Sequence, residues 1–225
     1  MRPVRPQPLV ESRVMNILCA PVGINQANCY LVYDEQRRMC AIDPGAEPDQ
    51  LLRHIAKEEL SLEAILVTHG HFDHIGGVKG LVEATGAPVY CAAEVAPVLE
   101  GIEECPAFGQ KMSAVAAEAV KVVADGDTVE VGSLSIKVLS TPGHAVGSLT
   151  FDIDGHLFCG DLLFYRSVGR TDFPGGDFAT LLTSIQRLAS LYPASTPIHP
   201  GHQWSTTLGE ELAENPFLGG LEADG

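Results

Sequence analysis

Short apolar runs rich in Val, Ile, Leu and aromatic residues recur along the chain, each bounded by Gly, Pro, Asp or Asn. Runs of this length and composition are typical of buried β-strands. Between them lie stretches in which apolar residues recur at intervals of three and four, the spacing of an amphipathic helix. The predicted strands are MNILCAPV, NCYLVY, MCAID, AILVTH, PVYCA, TVEV, LSIKVLS, SLTFDI and HLFCGD, and the predicted helices span residues 47–60, 76–86, 93–101 and 177–191.

The order of these elements predicts a mixed α/β protein. Strands and helices alternate early and again late, whereas residues 126–161 are mostly strand and turn. Such an order is expected if two similar halves pack sheet against sheet with their helices outside. Residues 102–125 have no clear period, and we interpret them as a crossover or a lid. Residues 1–12 are interpreted as a loose tail.

Length, composition and charge favour one acidic globular domain over residues 1–225. The 225 residues are 45% hydrophobic, which is enough for a sizeable core. A formal net charge of −15 disfavours a nucleic-acid partner, because such a surface must neutralise phosphates. No run approaches the roughly 18 apolar residues of a membrane span, and no signal peptide is recognisable. We therefore expect a cytoplasmic protein with no membrane contact and six reduced cysteines.

Three histidines and one aspartate lie within six positions of the stretch ILVTHGHFDHIGGV. Alternate side chains of an extended chain point the same way, so His69 and His71 can reach one point at the end of a strand that closes at Thr68. The chain then turns toward a helix, and Asp73 and His74 can reach a second point nearby. Solvated loop histidines are the alternative, but these are common singly. Because Zn²⁺ prefers imidazole and carboxylate ligands, the stretch predicts two adjacent metal sites.

Candidate partners for this cluster follow predicted strands elsewhere in the chain. His144 lies in STPGHAVGS, Asp161 in LFCGDLLF and His202 in IHPGHQWST. Each is weak evidence alone, because a single histidine in a turn is ordinary surface. Together with the first cluster they would complete the ligand sets of two metals. No ligand role is expected for the remaining histidines His54, His156 and His199.

The motifs THGHFDH, TPGHAVGS, CGD and PGH, in this order and spacing, resemble those of the metallo-β-lactamase superfamily over almost the whole chain. The resemblance implies a four-layer αββα sandwich with two divalent metal ions at one edge of its sheets. Zn²⁺ is the first expectation, with Fe and Mn as alternatives, because His and Asp bind all three. The implied ligands are His69, His71 and His144 for the first metal, Asp73, His74 and His202 for the second, and Asp161 as a bridge.

This resemblance also implies the chemistry. Two metals that share a water lower its pKa toward about 7 and present hydroxide to a polarised carbonyl. Asp73 would orient that hydroxide, and Asp161 would hold both metals, so these two carboxylates are the expected catalytic residues. Asp43, in AIDPG, matches an early aspartate of the family that supports the ligand histidines, although it could also shape the Asp-Pro-Gly turn.

The segments GDLLFYRSVGRTDFPGGD and PGHQWSTTLGEELAENPFL resemble the short, single-domain branch of the hydroxyacylglutathione hydrolases. That branch implies a small-molecule thioester substrate such as S-lactoylglutathione, without the C-terminal helical domain that contacts glutathione in longer relatives. Arg170 matches a basic residue of the branch, and we expect it to bind a substrate carboxylate, although it could instead pair with Asp172 or Asp177. Tyr165 and Arg166 are weaker candidates.

One feature of this sequence differs from the short hydroxyacylglutathione hydrolase branch, and another suggests a different enzyme class. Gln203 and Trp204 replace the usual Gly-Pro, so that a large ring either borders the pocket or packs under a C-terminal helix. The motif GRTDF is similar to that of persulfide dioxygenases, which hold one iron with two histidines and an aspartate. Here these would be His71 or His69, His144 and Asp161. The PGGD and PGHQWST motifs favour the hydrolase.

Overall fold

The computed structural model of the protein describes residues 15–105 and 112–219. The tail predicted for residues 1–12 lies outside the described residues, as do residues 106–111 of the predicted crossover or lid. The strands are β1 (Asn16–Val22), β2 (Ala27–Tyr33), β3 (Arg38–Ile42), β4 (Ser61–Leu66), β5 (Val89–Cys91), β6 (Val120–Val122), β7 (Thr128–Val131), β8 (Leu134–Ser140), β9 (Leu149–Ile153), β10 (His156–Gly160), β11 (Leu163–Phe164), β12 (Ser167–Val168), β13 (Pro197–Pro200) and β14 (Thr206–Thr207). The helices are α1 (Pro48–Lys57), α2 (Phe72–Ile75), α3 (Val78–Thr85), α4 (Ala96–Leu99), α5 (Phe178–Leu191) and α6 (Leu208–Glu214).

Two six-stranded sheets organise these elements. The first has the order β1-β2-β3-β4-β5-β6, antiparallel from β1 to β3 and parallel from β3 to β6. The second has the order β14-β13-β10-β9-β8-β7, and only β10 and β13 are parallel. The short strands β11 and β12 pair with each other as a separate hairpin. This arrangement matches the two packed halves predicted from the order of elements.

Alternate residues along β10 separate the layers of the fold. Phe158 packs in the main core with strands of both sheets, while its neighbours Leu157 and Cys159 face a second apolar cluster. That cluster contains Leu181 and Ile185 of α5, so α5 covers the outer face of the second sheet. Successive strand residues point to opposite faces, which explains why one strand contributes to two clusters.

The outer face of the first sheet is covered in the same way. Leu51 and Ile55 of α1, four positions apart on one helix face, are buried in the main core with Leu81 of α3. Complete burial of each such side chain stabilises the fold by about 1.5–3 kcal/mol. Helices therefore flank both sheets, and the four layers run α, β, β, α.

Several elements differ from the sequence predictions. Strand β4 ends at Leu66 rather than at Thr68, and the helix predicted over 93–101 is reduced to α4. The described part of residues 102–125 contains β6, which pairs in parallel with β5 and adds an edge strand, as a crossover does. The C-terminal helix was assumed without bounds, and it is α6, whose start is marked by the capping box of Thr207 and Glu210. Within the described ranges, no helix has the length and apolarity needed to cross a bilayer.

Candidate metal centre

All seven predicted ligands lie together at one edge of the two sheets. The ligands on the side of the first sheet either follow β4 or lie in α2. The sequence predicted an irregular turn for the residues that form α2. The ligands from the second sheet follow β8, β10 and β13. The structure forms two groups with ligand atoms within 4.8 Å of one another, namely His69, His71 and His144, and Asp73, His74 and His202.

The first cluster consists of three buried histidines. The Nε2 atom of His69 lies 3.0 Å from the Nδ1 atom of His71, and the Nε2 atom of His144 lies 2.9 Å from the same atom. Three imidazole nitrogens that converge in this way match the donor set of a tetrahedral metal with one open position.

The second cluster joins the first through Asp161. One Asp161 oxygen, Oδ1, lies 3.4 Å from His74 Nε2, while Oδ2 lies 3.5 Å from His144 Nε2 and 3.6 Å from His202 Nε2. The Asp73 carboxylate completes the cluster, with Oδ2 3.5 Å from His202 Nε2 and Oδ1 3.9 Å from His74 Nε2. The Asp161 carboxylate thus faces ligands of both clusters, as a bridge requires.

Buried atoms without hydrogen-bond partners show that the site fits metal ions. His74 Nε2 and Asp161 Oδ1 are both buried and have no hydrogen bond among the described residues. An unsatisfied buried polar atom costs about 1–3 kcal/mol, and more if charged, so these atoms require a partner that the side chains do not supply. Imidazole nitrogens and carboxylate oxygens are ligands for Zn²⁺, Fe²⁺ and Mn²⁺, and two such ions would satisfy both clusters.

The opposite ring nitrogens of the histidines are held by other groups. The Thr68 hydroxyl donates to Asp43 at 2.6 Å and lies 3.0 Å from His69 Nδ1, so it accepts from that nitrogen. The Nδ1 atom of His144 donates to the Arg170 carbonyl at 2.7 Å. Each bond places the proton on Nδ1 and leaves Nε2 free to bind a metal. Sequence reasoning missed Thr68, although it immediately precedes the first histidine.

Asp43 supports the centre from behind. Its Oδ1 accepts the Thr68 backbone N–H at 2.7 Å, and its Oδ2 lies 2.9 Å from His74 Nδ1. Asp43 also lies within ligand distance of His69 and His74 as a third possible group. Its two oxygens are already engaged by Thr68 and His74, which favours the supporting role expected from the sequence.

Two glycines of the sequence motifs are required by close packing at the site. A Cβ atom at Gly45, in the Asp-Pro-Gly turn, would lie 1.5 Å from the Asp73 carbonyl oxygen. A Cβ atom at Gly201, in the PGH motif, would lie 2.3 Å from Asp161 Oδ1. Both distances are far below contact distance, so a side chain at either position would displace a candidate ligand. Because Gly45 belongs to the same Asp-Pro-Gly turn as Asp43, the tight turn and the bond of Asp43 to His74 are both present in the structure.

The two clusters differ in the protonation of their histidines. Burial and the neighbouring His144 imidazole lower the pKa of His71 to about 4, so this ring is neutral near pH 7. Burial would also lower the pKa of His74, but the carboxylates of Asp161, Asp43 and Asp73 outweigh it and raise that pKa to about 9. In the absence of metal, His74 is therefore protonated at neutral pH, whereas His71 is ready to bind.

We expect the second-cluster metal to leave first when the pH is lowered. Protons compete with metals for ligand nitrogens, and they compete most strongly for a histidine of raised pKa such as His74. Dialysis of the loaded protein at steps between about pH 8 and pH 5, followed by elemental analysis, should give one metal per chain before none. Loss of both metals in one step would contradict the difference between the clusters.

A cleft of about 470 Å³ opens over both clusters. Asn25, which was not predicted, lines it and donates to Asp73 Oδ2 at 2.8 Å. Arg170 also lines it, but its guanidinium donates twice to Asp172 at 2.6 Å and lies 3.9 Å from the centre of the Phe173 ring. Of the two roles considered for Arg170, the ion pair with Asp172 is formed, and the side chain still borders the cleft.

The remaining candidates lie outside the clusters. Arg166 pairs with Glu211 and Glu214, and it covers the Tyr165 ring. Trp204 is 75% exposed, so it does not pack under α6. Of the histidines expected to have no ligand role, His156 and His199 bond to each other at 2.9 Å, and His54 lies in α1.

The family model that matches this chain is the metallo-β-lactamase superfamily, over residues 22–202. The matched region contains both clusters. The chain belongs to the metallo-β-lactamase superfamily. Superfamily members are generally hydrolytic enzymes, and the family together with the His and Asp clusters supports a dinuclear metal site.

The proteins that this chain resembles differ in the activities that their names state. The chain is 34% identical over 213 residues to hydroxyacylglutathione hydrolase GloC of Haemophilus influenzae. The match covers 91% of this chain and 98% of GloC. It is similar to the BLEG-1 B3 metallo-β-lactamase, at 33% identity and a TM-score of 0.83 over 91% of this chain and 100% of that one.

Two further solved structures are similar to this chain, and one of them was determined with a di-iron centre. TTHA1623 in a di-iron-bound form is 40% identical, with a TM-score of 0.78 over 89% of this chain and 100% of that one. ETHE1 from Myxococcus xanthus is 31% identical, with a TM-score of 0.75 over 91% of this chain and 85% of that one. These similarities confirm the αββα superfamily fold predicted from the motifs.

Proposed function

We propose that the protein is a dinuclear metal hydrolase that cleaves thioesters of the hydroxyacylglutathione type. The observation that carries this proposal is the Asp161 carboxylate, which lies between two complete ligand clusters at the base of an open cleft. The similarity to GloC supports the substrate class. Two divalent ions, when bound, would activate water and polarise the thioester carbonyl.

The protein's own residues then have distinct roles. Asp73 accepts a hydrogen bond from Asn25 at 2.8 Å, which fixes its carboxylate at the edge of the cleft. From this position Asp73 can orient the attacking water by accepting a hydrogen bond from it. Asp161, Asp73 and the five histidines would hold the metals, while the bonds of Thr68 to His69 and of Asp43 to His74 keep these two rings in place.

Zn²⁺ is the proposed metal because imidazole and carboxylate ligands suit it and it needs no redox partner for hydrolysis. The di-iron form of TTHA1623 makes iron the main alternative. Fe²⁺ and Mn²⁺ bind the same ligand types, and the choice among such metals follows geometry and availability.

A mononuclear iron persulfide dioxygenase is the second candidate, and the GRTDF motif together with the similarity to ETHE1 favours it. One iron would use His69 or His71, His144 and Asp161. That assignment leaves the second cluster without a function, although His74 Nε2 is buried with no hydrogen bond among the described residues. The second cluster therefore supports the hydrolase.

Metal-loaded protein should hydrolyse S-lactoylglutathione, lose this activity with a chelator, and regain it with Zn²⁺. Thiol release and oxygen consumption are measured in parallel, with glutathione persulfide as the second substrate. Oxygen uptake with the persulfide, together with no thiol release from the thioester, would contradict the hydrolase and support the dioxygenase.

Arg170→Ala should raise KM for S-lactoylglutathione about 10-fold, the typical cost of one hydrogen bond to a charged group. Exposed ion pairs are weak, so Arg170 can leave Asp172 for a substrate carboxylate. S-lactoyl-N-acetylcysteamine, which has the same acyl group and no carboxylate, should be nearly unaffected.

Arg187→Ala is the matched control, because Arg187 also forms a two-bond pair with an aspartate, Asp125, but does not line the cleft. It should leave KM for both thioesters unchanged. Equal losses on both substrates in Arg170→Ala would show that Arg170 has a structural role only.

A further inference from the structure

Two exposed aromatic side chains each follow, in sequence, a residue that lines the cleft, Phe164 and Gln203. Trp204, the only tryptophan in the chain, is 75% exposed, and Tyr165 is 39% exposed. Their ring centroids are 5.9 Å apart with an interplanar angle of 66°. We infer that these two rings, named here the aromatic ledge, form an acyl-binding subsite that takes an apolar or aromatic acyl group. This inference rests on the proposed thioesterase function.

The aromatic ledge is a built feature rather than a loose pair of rings. The Arg166 guanidinium lies 4.7 Å from the centre of the Tyr165 ring and donates to the buried Glu211 carboxylate at 2.9 Å. The Arg166 backbone N–H donates to the same carboxylate at 2.8 Å. Glu211 thus fixes both the backbone and the side chain of the residue next to Tyr165, so the ledge is held in place before substrate binds.

The aromatic ledge adjoins the cleft through the sequence neighbours of its two residues. Phe164 and Gln203, the sequence neighbours of Tyr165 and Trp204, both line the cleft. The Phe164 ring lies 6.0 Å from the His202 ring. Phe164 thus stands beside the second cluster, and the ledge residue Tyr165 is next to it in the chain, which is why we place the acyl group on this side of the cleft.

Arg170 marks the other end of the cleft. The Phe173 ring lies between the Arg170 guanidinium, at 3.9 Å, and the His71 ring, at 5.6 Å, beside the first cluster. If Arg170 takes the carboxylate of the thiol part, as proposed above, the acyl part points toward His202 and the ledge. The two ends would thus select different halves of one thioester.

The charges around the ledge indicate an apolar acyl group rather than an anionic one. Arg166 is the cation next to it, and this guanidinium is already engaged by Glu211 and Glu214. Aromatic rings favour other rings in stacked or edge contacts, so an aromatic acyl group fits best.

The test compares S-mandeloylglutathione with S-lactoylglutathione, which differ only by a phenyl in place of a methyl group. Wild-type protein should prefer the mandeloyl ester in kcat/KM, and Trp204→Ala should reduce that preference about threefold to tenfold, as expected for one aromatic contact. Trp204→Phe should restore most of it. Leu191→Ala, which removes an exposed apolar side chain at the end of α5, should leave both substrates unchanged.

Fluorescence gives a readout that does not depend on turnover, because Trp204 is the only tryptophan. S-benzylglutathione, which cannot be hydrolysed, should change the emission of the metal-loaded protein, and S-methylglutathione should not. If both thioesters are hydrolysed with a ratio that Trp204→Ala leaves unchanged, the acyl subsite is wrong while the proposed function stands. If neither is hydrolysed, the proposed function fails, and the acyl subsite with it.

Discussion

Replacement of Asp161 by alanine should abolish thioester hydrolysis while the protein stays folded. Asp161 faces His74, His144 and His202 at 3.4–3.6 Å, so its loss removes a ligand from both clusters at once. Loss of a group that merely supports a ligand costs about 10- to 100-fold in metal affinity or activity, and loss of a shared ligand should exceed that range. Elemental analysis should show that less than one metal per chain remains.

The fold should survive this substitution because Asp161 Oδ1 has no hydrogen bond among the described residues. In the metal-free protein the substitution removes one carboxylate from beside the His74 imidazole, but the Asp43 and Asp73 carboxylates remain 2.9 and 3.9 Å from that ring and still compensate its charge. Asp161→Asn, which keeps one coordinating oxygen but loses the charge, should fall between wild type and alanine. Asp125→Ala, which removes a carboxylate from the surface pair with Arg187, is the control and should keep both metals. Full metal content in Asp161→Ala would contradict a bridging role.

Asp73→Asn should lower kcat for S-lactoylglutathione by about 10²- to 10³-fold, the usual cost of removing one preorganised hydrogen-bonding group from an active site. Burial would raise the pKa of Asp73, but contacts with His202 and His74 outweigh it and lower that pKa well below its usual range. The carboxylate is therefore ionised and can accept the hydrogen bond that orients the attacking water. The amide keeps the shape of the side chain and one oxygen, so the first cluster should retain its metal and KM should change little.

Asp154→Asn is the matched control for this substitution. Asp154 lies in a turn with a φ of 49°, a conformation that asparagine also adopts, and it is remote from the cleft lining. Both kcat and KM should equal those of wild type. A kcat within about threefold of wild type in Asp73→Asn, with both metals present, would exclude Asp73 as the group that orients the attacking water.

The fold could be predicted from the sequence wherever the pattern was strong. The apolar runs LSIKVLS and SLTFDI became β8 and β9, and the periodic stretch over 177–191 became α5. Short elements escaped prediction because a strand such as β14, with only two residues, has no period to detect. Helix α6 was assumed without bounds, since the capping box that marks its start was present in the sequence and was not used.

The candidate ligands could be predicted because each carries a chemically distinctive side chain at a turn. Their supporting groups could not be predicted in the same way. Thr68 and Asn25 are common residue types, and their roles depend on the register that places them beside Asp43 and Asp73. The pairing of Arg170 with Asp172 is likewise a rotamer choice, which the motif left open.

The metal content of the purified protein tests the dinuclear centre most directly. Elemental analysis of wild type should give two metals per chain, and His202→Ala should keep one, because His69, His71 and His144 form a separate cluster. Both proteins are analysed after reconstitution with the same metal and removal of the excess. One iron per chain in wild type, unchanged in His202→Ala and accompanied by oxygen uptake on glutathione persulfide, would contradict the dinuclear hydrolase.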